Sequence, residues 1–171
     1  ATPMGHPSEG ATFLGPMINE NARAGAIHGI EQAKENGNEL VAGGDTSGEN
    51  GWYLEPTVFT GVGRGDYIWK EELFAPVLGI HKVSSFEEGL EAANDTRFGL
   101  TGAYFGKDEK NIARAKQELH CGNLYINRKC TGALVGVHPF GGFNLSGTDS
   151  KAGGRDYLLL FLQAKSISRA K

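Results

Sequence analysis

Apolar and polar positions follow two different periods along this chain. Over residues 19–35, Ala26, Ile27, Ile30 and Ala33 recur at helical spacing with charges between them. That spacing predicts a helix, and Gly37 supplies its stop. Glu39 to Ala42 (ELVA) is short and bounded by Gly43 and Gly44, which predicts a strand. The segment DTSGENG that follows is rich in turn residues. YLEPTVFTGV reads as extended, and Pro56 places it at a sheet edge or at a strand start. Residues 77–83 predict a strand apolar enough to be largely buried. Ser85 and Glu88 have capping-box spacing and open a helix running to about Asn94. LTGAYF predicts a strand. Asp108 caps a helix over 109–119, in which Ile112, Ala115 and Leu119 share a face, and Gly122 ends it. NLYIN is a further strand.

The middle of the chain therefore alternates strand, helix, strand, helix, strand. This is the pattern of an α/β fold with a mostly parallel sheet flanked by helices. Sites in such sheets form outside the carboxyl ends of the strands, where Asn127 and the loop after it lie. Residues 1–16 carry proline and glycine without a period and read as an irregular lead-in. The tail DYLLLFLQAKSISRAK holds an apolar run suited to a short helix or a strand, and AKSIS alternates as extended chain does. An apolar terminal strand leaving the domain body would be an open edge, so a partner is expected to cover it.

Composition narrows the function classes. The 171 residues suit one domain with a real core, with no composition shift marking an internal boundary. A net charge of -3 gives no reason to expect a nucleic acid partner. No apolar run approaches the ~20 residues of a membrane span, and no signal peptide is visible. The two cysteines, Cys121 and Cys130, suit reduced thiols in a cytoplasmic protein rather than a disulfide scaffold. Glycine is the outlier: 26 residues, twice its usual share of about 7%. Seven of them fall between Thr131 and Gly154, at 132, 136, 141, 142, 147, 153 and 154. Yet that stretch keeps apolar anchors in Ala133, Leu134, Val135, Pro139 and Phe140. It is neither a linker nor a strand, but a loop built for close backbone approach.

Several candidates are weak by spacing. Gly61, Gly63 and Gly65 miss the dinucleotide fingerprint, which would require glycine at position 66. The histidines are scattered and no C-x-x-C occurs, so no metal site is expected. Cys130 beside Arg128 and Lys129 is either an activated thiolate or, more simply, an unreactive thiol in a basic loop. Glu71 and Glu72 are either solvated carboxylates or acceptors for a polar ligand such as a sugar diol. Phe140 either plugs a small core or walls a slot for a substrate chain. Gly132 and Ala133 can offer backbone N–H groups to an anion.

The ordered set EELFAPV, AANDTRFGLTGAYF, GNLYINRKCTGALVGVHPFGG and LSGTDSKAGG resembles the C-terminal part of an aldehyde dehydrogenase. The resemblance runs from GPMINE to AKSIS and is closest to the 1-pyrroline-5-carboxylate (glutamate γ-semialdehyde) dehydrogenases. It implies a partial catalytic domain over 1–156, with a substrate-anchoring loop at 128–154. It also implies that 157–171 is the C-terminal helix or strand of an oligomerisation arm, the terminal strand joining the oligomerisation sheet, hence a homo-oligomer. The family oxidises glutamate γ-semialdehyde to glutamate with NAD, through a cysteine thiohemiacetal, hydride transfer and glutamate-assisted hydrolysis. By that resemblance Glu72 holds the nicotinamide ribose and Phe74 lies beside the nicotinamide. Gly132 and Ala133 anchor the substrate α-carboxylate, and Phe140 walls the aldehyde pocket.

Three positions depart from the family pattern: Ala75 stands for a glycine, Cys130 for an apolar residue and His138 for a glutamine. The nucleophilic cysteine, the general-base glutamate and the cofactor domain have no counterpart in this sequence. No catalytic residue is therefore expected here, and the isolated chain should be inactive. The location would be cytoplasmic, or the mitochondrial matrix if the source is eukaryotic. A non-catalytic binding or assembly module, or part of another semialdehyde dehydrogenase, are the competing readings.

Overall fold

A computed structural model describes residues 2–48, 50–130, 133–147 and 151–171. The chain divides into two compact units, Ala1–Ser84 and Ser85–Lys171.

The first unit is built around α1 (Glu20–Glu35). The Asn19 side chain accepts the Ala22 N–H at 2.8 Å, capping a helix N-terminus that would otherwise leave that donor unpaired. Beyond the other end Gly37 takes a φ of +82°, a conformation that costs glycine little. Ala26, Ile30 and Ala33 form the buried stripe of α1, with Ile27 only half-buried. The stripe packs with Leu54, Phe59 and Val62. Phe59 is fully buried, and removing such a side chain from water contributes roughly 1.5–3 kcal/mol.

The sheet of this unit runs β1 (Glu39–Ala42), β2 (Thr57–Thr60), β3 (Val77–Ile80) in that spatial order. β1 pairs antiparallel to β2, and β2 parallel to β3. β2 is central, so Pro56 marks a strand start, not an edge, as a residue without an N–H must in a paired strand. Its burial alternates, with Thr57 and Phe59 inward. The short helix α2 (Tyr67–Lys70) lies between β2 and β3 in the chain.

Asp66, just before α2, is a hub. Its carboxylate accepts from Gly63 N–H at 2.6 Å, Asn38 Nδ2 at 2.8 Å and Asn36 Nδ2 at 3.1 Å. Burial pushes the Asp66 pKa up. The hydrogen bonds from Asn38, Gly63 and Asn36 and the charge of Lys70 outweigh that and leave it below the ordinary value. The glycines at 61, 63 and 65 thus belong to a turn tied to this carboxylate.

One expectation is corrected here. The strand expected over 77–83 ends at Ile80, and Leu78 and Ile80 are 57% and 43% exposed instead of buried. Among the described residues β3 is the edge of its sheet, with β2 alone beside it. An apolar run records a tendency to be covered, not which element does the covering.

In the second unit, α3 (Phe86–Asn94) begins at Ser85, whose Oγ accepts the Glu88 N–H at 3.1 Å. β4 (Thr101–Tyr104) and β5 (Asn123–Ile126) pair in parallel, joined by the crossover helix α4 (Glu109–Glu118). Asp108 Oδ1 caps α4 by accepting from Lys110 and Asn111 N–H. Leu90, Ala92, Ile112, Ala115 and Tyr125 are buried, while Leu119 is half-buried at the α4 C-terminus. Arg114 on α4 pairs with Glu118 at 2.7 Å and with Glu87 of α3 at 2.5 Å. These charges are solvent-exposed, so water screens the pairs and they stabilise the fold little.

The fold is α/β with two of its three strand pairings parallel, as the alternation implies. The ladders are, however, divided into a three-stranded and a two-stranded sheet. At the C-terminus, Arg155–Phe161 form a 3₁₀ helix, and residues 162–171 carry no regular secondary structure. The segment AKSIS, expected to be extended, lies in that stretch. Leu158 to Leu162 are 54–71% exposed. Among the described residues, no helix is long and apolar enough to cross a membrane.

Candidate functional site

In the first unit the residues of interest surround Leu73. Gly29 of α1 faces that side chain so closely that a Cβ there would sit 2.8 Å from both Leu73 methyls. Leu73 turns inward under the helix, while Glu72 and Phe74 on either side are exposed. Phe74 is 85% exposed and takes a φ of +49°, a left-handed conformation that bulky side chains adopt at a cost. Next to it Ala75 packs against the core, partly buried, and is free of that strain. The strained residue is the aromatic one. An uncovered ring and an exposed carboxylate suit the nicotinamide and ribose of a dinucleotide. The ring offers a flat apolar face, and the carboxylate two acceptors for a diol.

In the second unit the glycine-rich loop folds back on itself. Phe140 and Ala152 exchange both backbone hydrogen bonds, at 2.8 and 2.9 Å. Gly136 N–H donates to Gly153 O at 2.6 Å. Positive φ at Gly136 (+79°) and Gly153 (+70°) lets the two arms turn toward each other. Between them lies a cavity of about 370 Å³ lined by Ala133, Val135, His138, Phe140, Ala152 and Gly153. That volume is at the small end of ligand-binding cavities. The structure thus brings Ala133 and Phe140 to one cavity, whereas Gly132 lies outside the described residues.

Among the described residues His138 is the one lining residue with a polar side chain. Its Nδ1 is 3.3 Å from the Leu134 N–H and accepts from it, so the ring proton sits on Nε2 in the neutral form. The cavity can therefore hold a short hydrocarbon stem against Phe140 and Val135 and offer one donor to a polar end.

The loop is fastened to the start of β5. Asn123 Nδ2 donates to Pro139 O at 2.9 Å, and its Oδ1 accepts from Gly141 N–H at 3.2 Å. Lys151 Nζ donates to Gly122 O, to Gly141 O at 2.5 Å and to Asn123 Oδ1 at 3.4 Å. The approach requires glycine: a Cβ on Gly122 would lie 1.8 Å from Gly141 O.

The Glu72–Phe74 pair and the cavity belong to different units. Sequence reasoning missed Lys151, Asn123, Val135 and Ala152. The only signal for the first was a lysine inside LSGTDSKAGG, and for Asn123 its place at the head of a strand. Of the two free cysteines, Cys130 is exposed. Burial, and secondarily the Cys130 thiol, push the Cys121 pKa up, against a smaller downward pull from Lys151. A thiol so tuned is a poor nucleophile.

A family model described as "Aldehyde dehydrogenase family" matches residues 1–167. The chain belongs to the aldehyde dehydrogenase family. It is 51% identical over 165 residues to 1-pyrroline-5-carboxylate dehydrogenase of Bacillus licheniformis, covering 96% of this chain and 32% of that protein. The namesake from Geobacillus kaustophilus is 49% identical with the same coverage. Among solved structures, 1-pyrroline-5-carboxylate dehydrogenase from Thermus with bound NAD superposes with a TM-score of 0.90 at 46% identity, over 95% of this chain and 31% of that one. Betaine aldehyde dehydrogenase from Staphylococcus aureus superposes at 0.88 with 28% identity, over 96% of this chain and 33% of that one. The chain spans about a third of the length of these relatives.

Proposed function

We propose that this chain is the substrate-anchoring, C-terminal portion of an NAD-dependent dehydrogenase that oxidises glutamate γ-semialdehyde to glutamate. The observation that carries the reading is the cavity shared by Ala133 and Phe140. Its volume and mostly apolar lining suit a five-carbon chain with a charged end. The names of relatives about half identical to this chain, which are 1-pyrroline-5-carboxylate dehydrogenases, support this substrate over other aldehydes. The loop around Gly132 and Ala133 would hold the α-carboxylate through backbone N–H groups. Phe140 would pack on the aliphatic stem.

Glu72 and Phe74 would hold the nicotinamide end of NAD, which supplies a hydride acceptor. The nucleophile and general base would come from elsewhere in the complete enzyme, so the chain alone should form no NADH from glutamate semialdehyde. Exposure of Leu158 to Leu162 supports association of copies through the C-terminal arm. Two free cysteines suit a reducing, cytoplasmic setting. Titration of the 171-residue chain with L-glutamate, followed by NMR, tests the anchoring role. Shifts should concentrate at Ala133, Val135 and Phe140 and weaken in Phe140→Ala. Shifts elsewhere, or none, would refute it.

A further inference from the structure

We propose that Lys151 is a positioning residue of this cavity: its ammonium fastens the arm carrying Phe140 to the head of β5, and the grip on a small anionic ligand depends on that charge. The proposal rests on the reading of the cavity given above.

Two main-chain carbonyls, of Gly122 and Gly141, converge on the Lys151 Nζ together with the Asn123 amide oxygen. Carbonyl oxygens carry partial negative charge and repel at close range. A cation between them turns the repulsion into a shared attraction. Gly122 lacks the side chain that would keep the two backbones apart. Asn123 adds two further ties, to Pro139 O and from Gly141 N–H.

These contacts bracket Phe140 on both sides, at 139 and 141, while Phe140 itself is bonded to Ala152, the residue next to Lys151. The ammonium also makes a cation–π contact with Phe143, with Nζ 5.4 Å from the ring centroid. Neither Lys151 nor the groups its ammonium meets line the cavity, so Lys151 acts through the backbone that carries its wall and not by touching the ligand.

The test uses the 171-residue chain with Lys151→Met and Lys151→Arg, and L-glutamate as the probe. Lys151→Met should speed hydrogen exchange at the Phe140, Gly141 and Ala152 amides while leaving the Phe59 amide unchanged. It should weaken glutamate binding about tenfold or more, because small displacements of positioning groups are costly. Lys151→Arg, which keeps charge and several donors, should restore most of both. If Lys151→Met does not fold, Lys151→Gln, which keeps a donor and loses the charge, takes its place.

Unchanged exchange in the charge-free variant overturns the fastening. Faster exchange with unchanged glutamate affinity overturns the link to the ligand. Failure of the unaltered chain to bind glutamate overturns the reading of the cavity and the ligand half of this proposal, while exchange still decides the fastening.

Discussion

Replacing Gly122 by alanine should be among the most damaging single-methyl changes available to this chain. The added Cβ would sit 1.8 Å from Gly141 O, 2.7 Å from Gly141 C and 2.7 Å from Gly142 Cα. All three are backbone atoms, which cannot rotate away as a side chain can. Restoring ordinary contact requires the loop to retreat by about 1.7 Å, given that non-bonded atoms settle near 3.5 Å. Such a retreat breaks the ties from Lys151 to Gly141 O, from Asn123 to Pro139 O and from Gly141 N–H to Asn123. At about 1 kcal/mol each, the loss is about 3 kcal/mol.

Gly25 supplies the opposing control. It lies inside α1, and a methyl added there would meet nothing within 4 Å. Gly25→Ala should therefore stabilise by about 0.5–1 kcal/mol through helix propensity alone. Urea denaturation followed by circular dichroism measures both. The two variants should move the midpoint in opposite directions. A loss below about 1 kcal/mol for Gly122→Ala would refute the reasoning, because it would mean that the loop is not held against β5.

Two further outcomes are expected. The Asp66 pKa is lowered on folding, so its contribution is present above the unfolded value, near 4, and is lost as pH falls through the folded value. Urea midpoints should therefore drop below about pH 4, and Asp66→Ala should flatten part of that slope; an unchanged slope would count against the Asn36–Asn38–Asp66 hub. Phe74→Gly should relieve backbone strain of about 1–2 kcal/mol against an entropic cost of about 0.5–1 kcal/mol, giving a small net rise in the denaturation midpoint. A clear fall would show that the 85% exposed ring is packed in solution.

What the sequence determined by itself was local. The period of Ala26, Ile30 and Ala33, the caps at Asn19, Ser85 and Asp108, and the stop at Gly37 depend on residues a few positions apart, so a string of letters contains them. The excess of glycine beside Phe140 in the 131–154 stretch likewise pointed to close backbone approach. The tertiary structure alone decided what depends on neighbours distant in sequence. It left β3 at an edge with Leu78 uncovered, and it divided the strands between two sheets. It also set Asn38 against Asp66, and Lys151 against carbonyls 10 and 29 positions away. A lysine's sequence neighbours do not reveal which carbonyls its ammonium will meet, because that choice is made only when the chain has closed on itself.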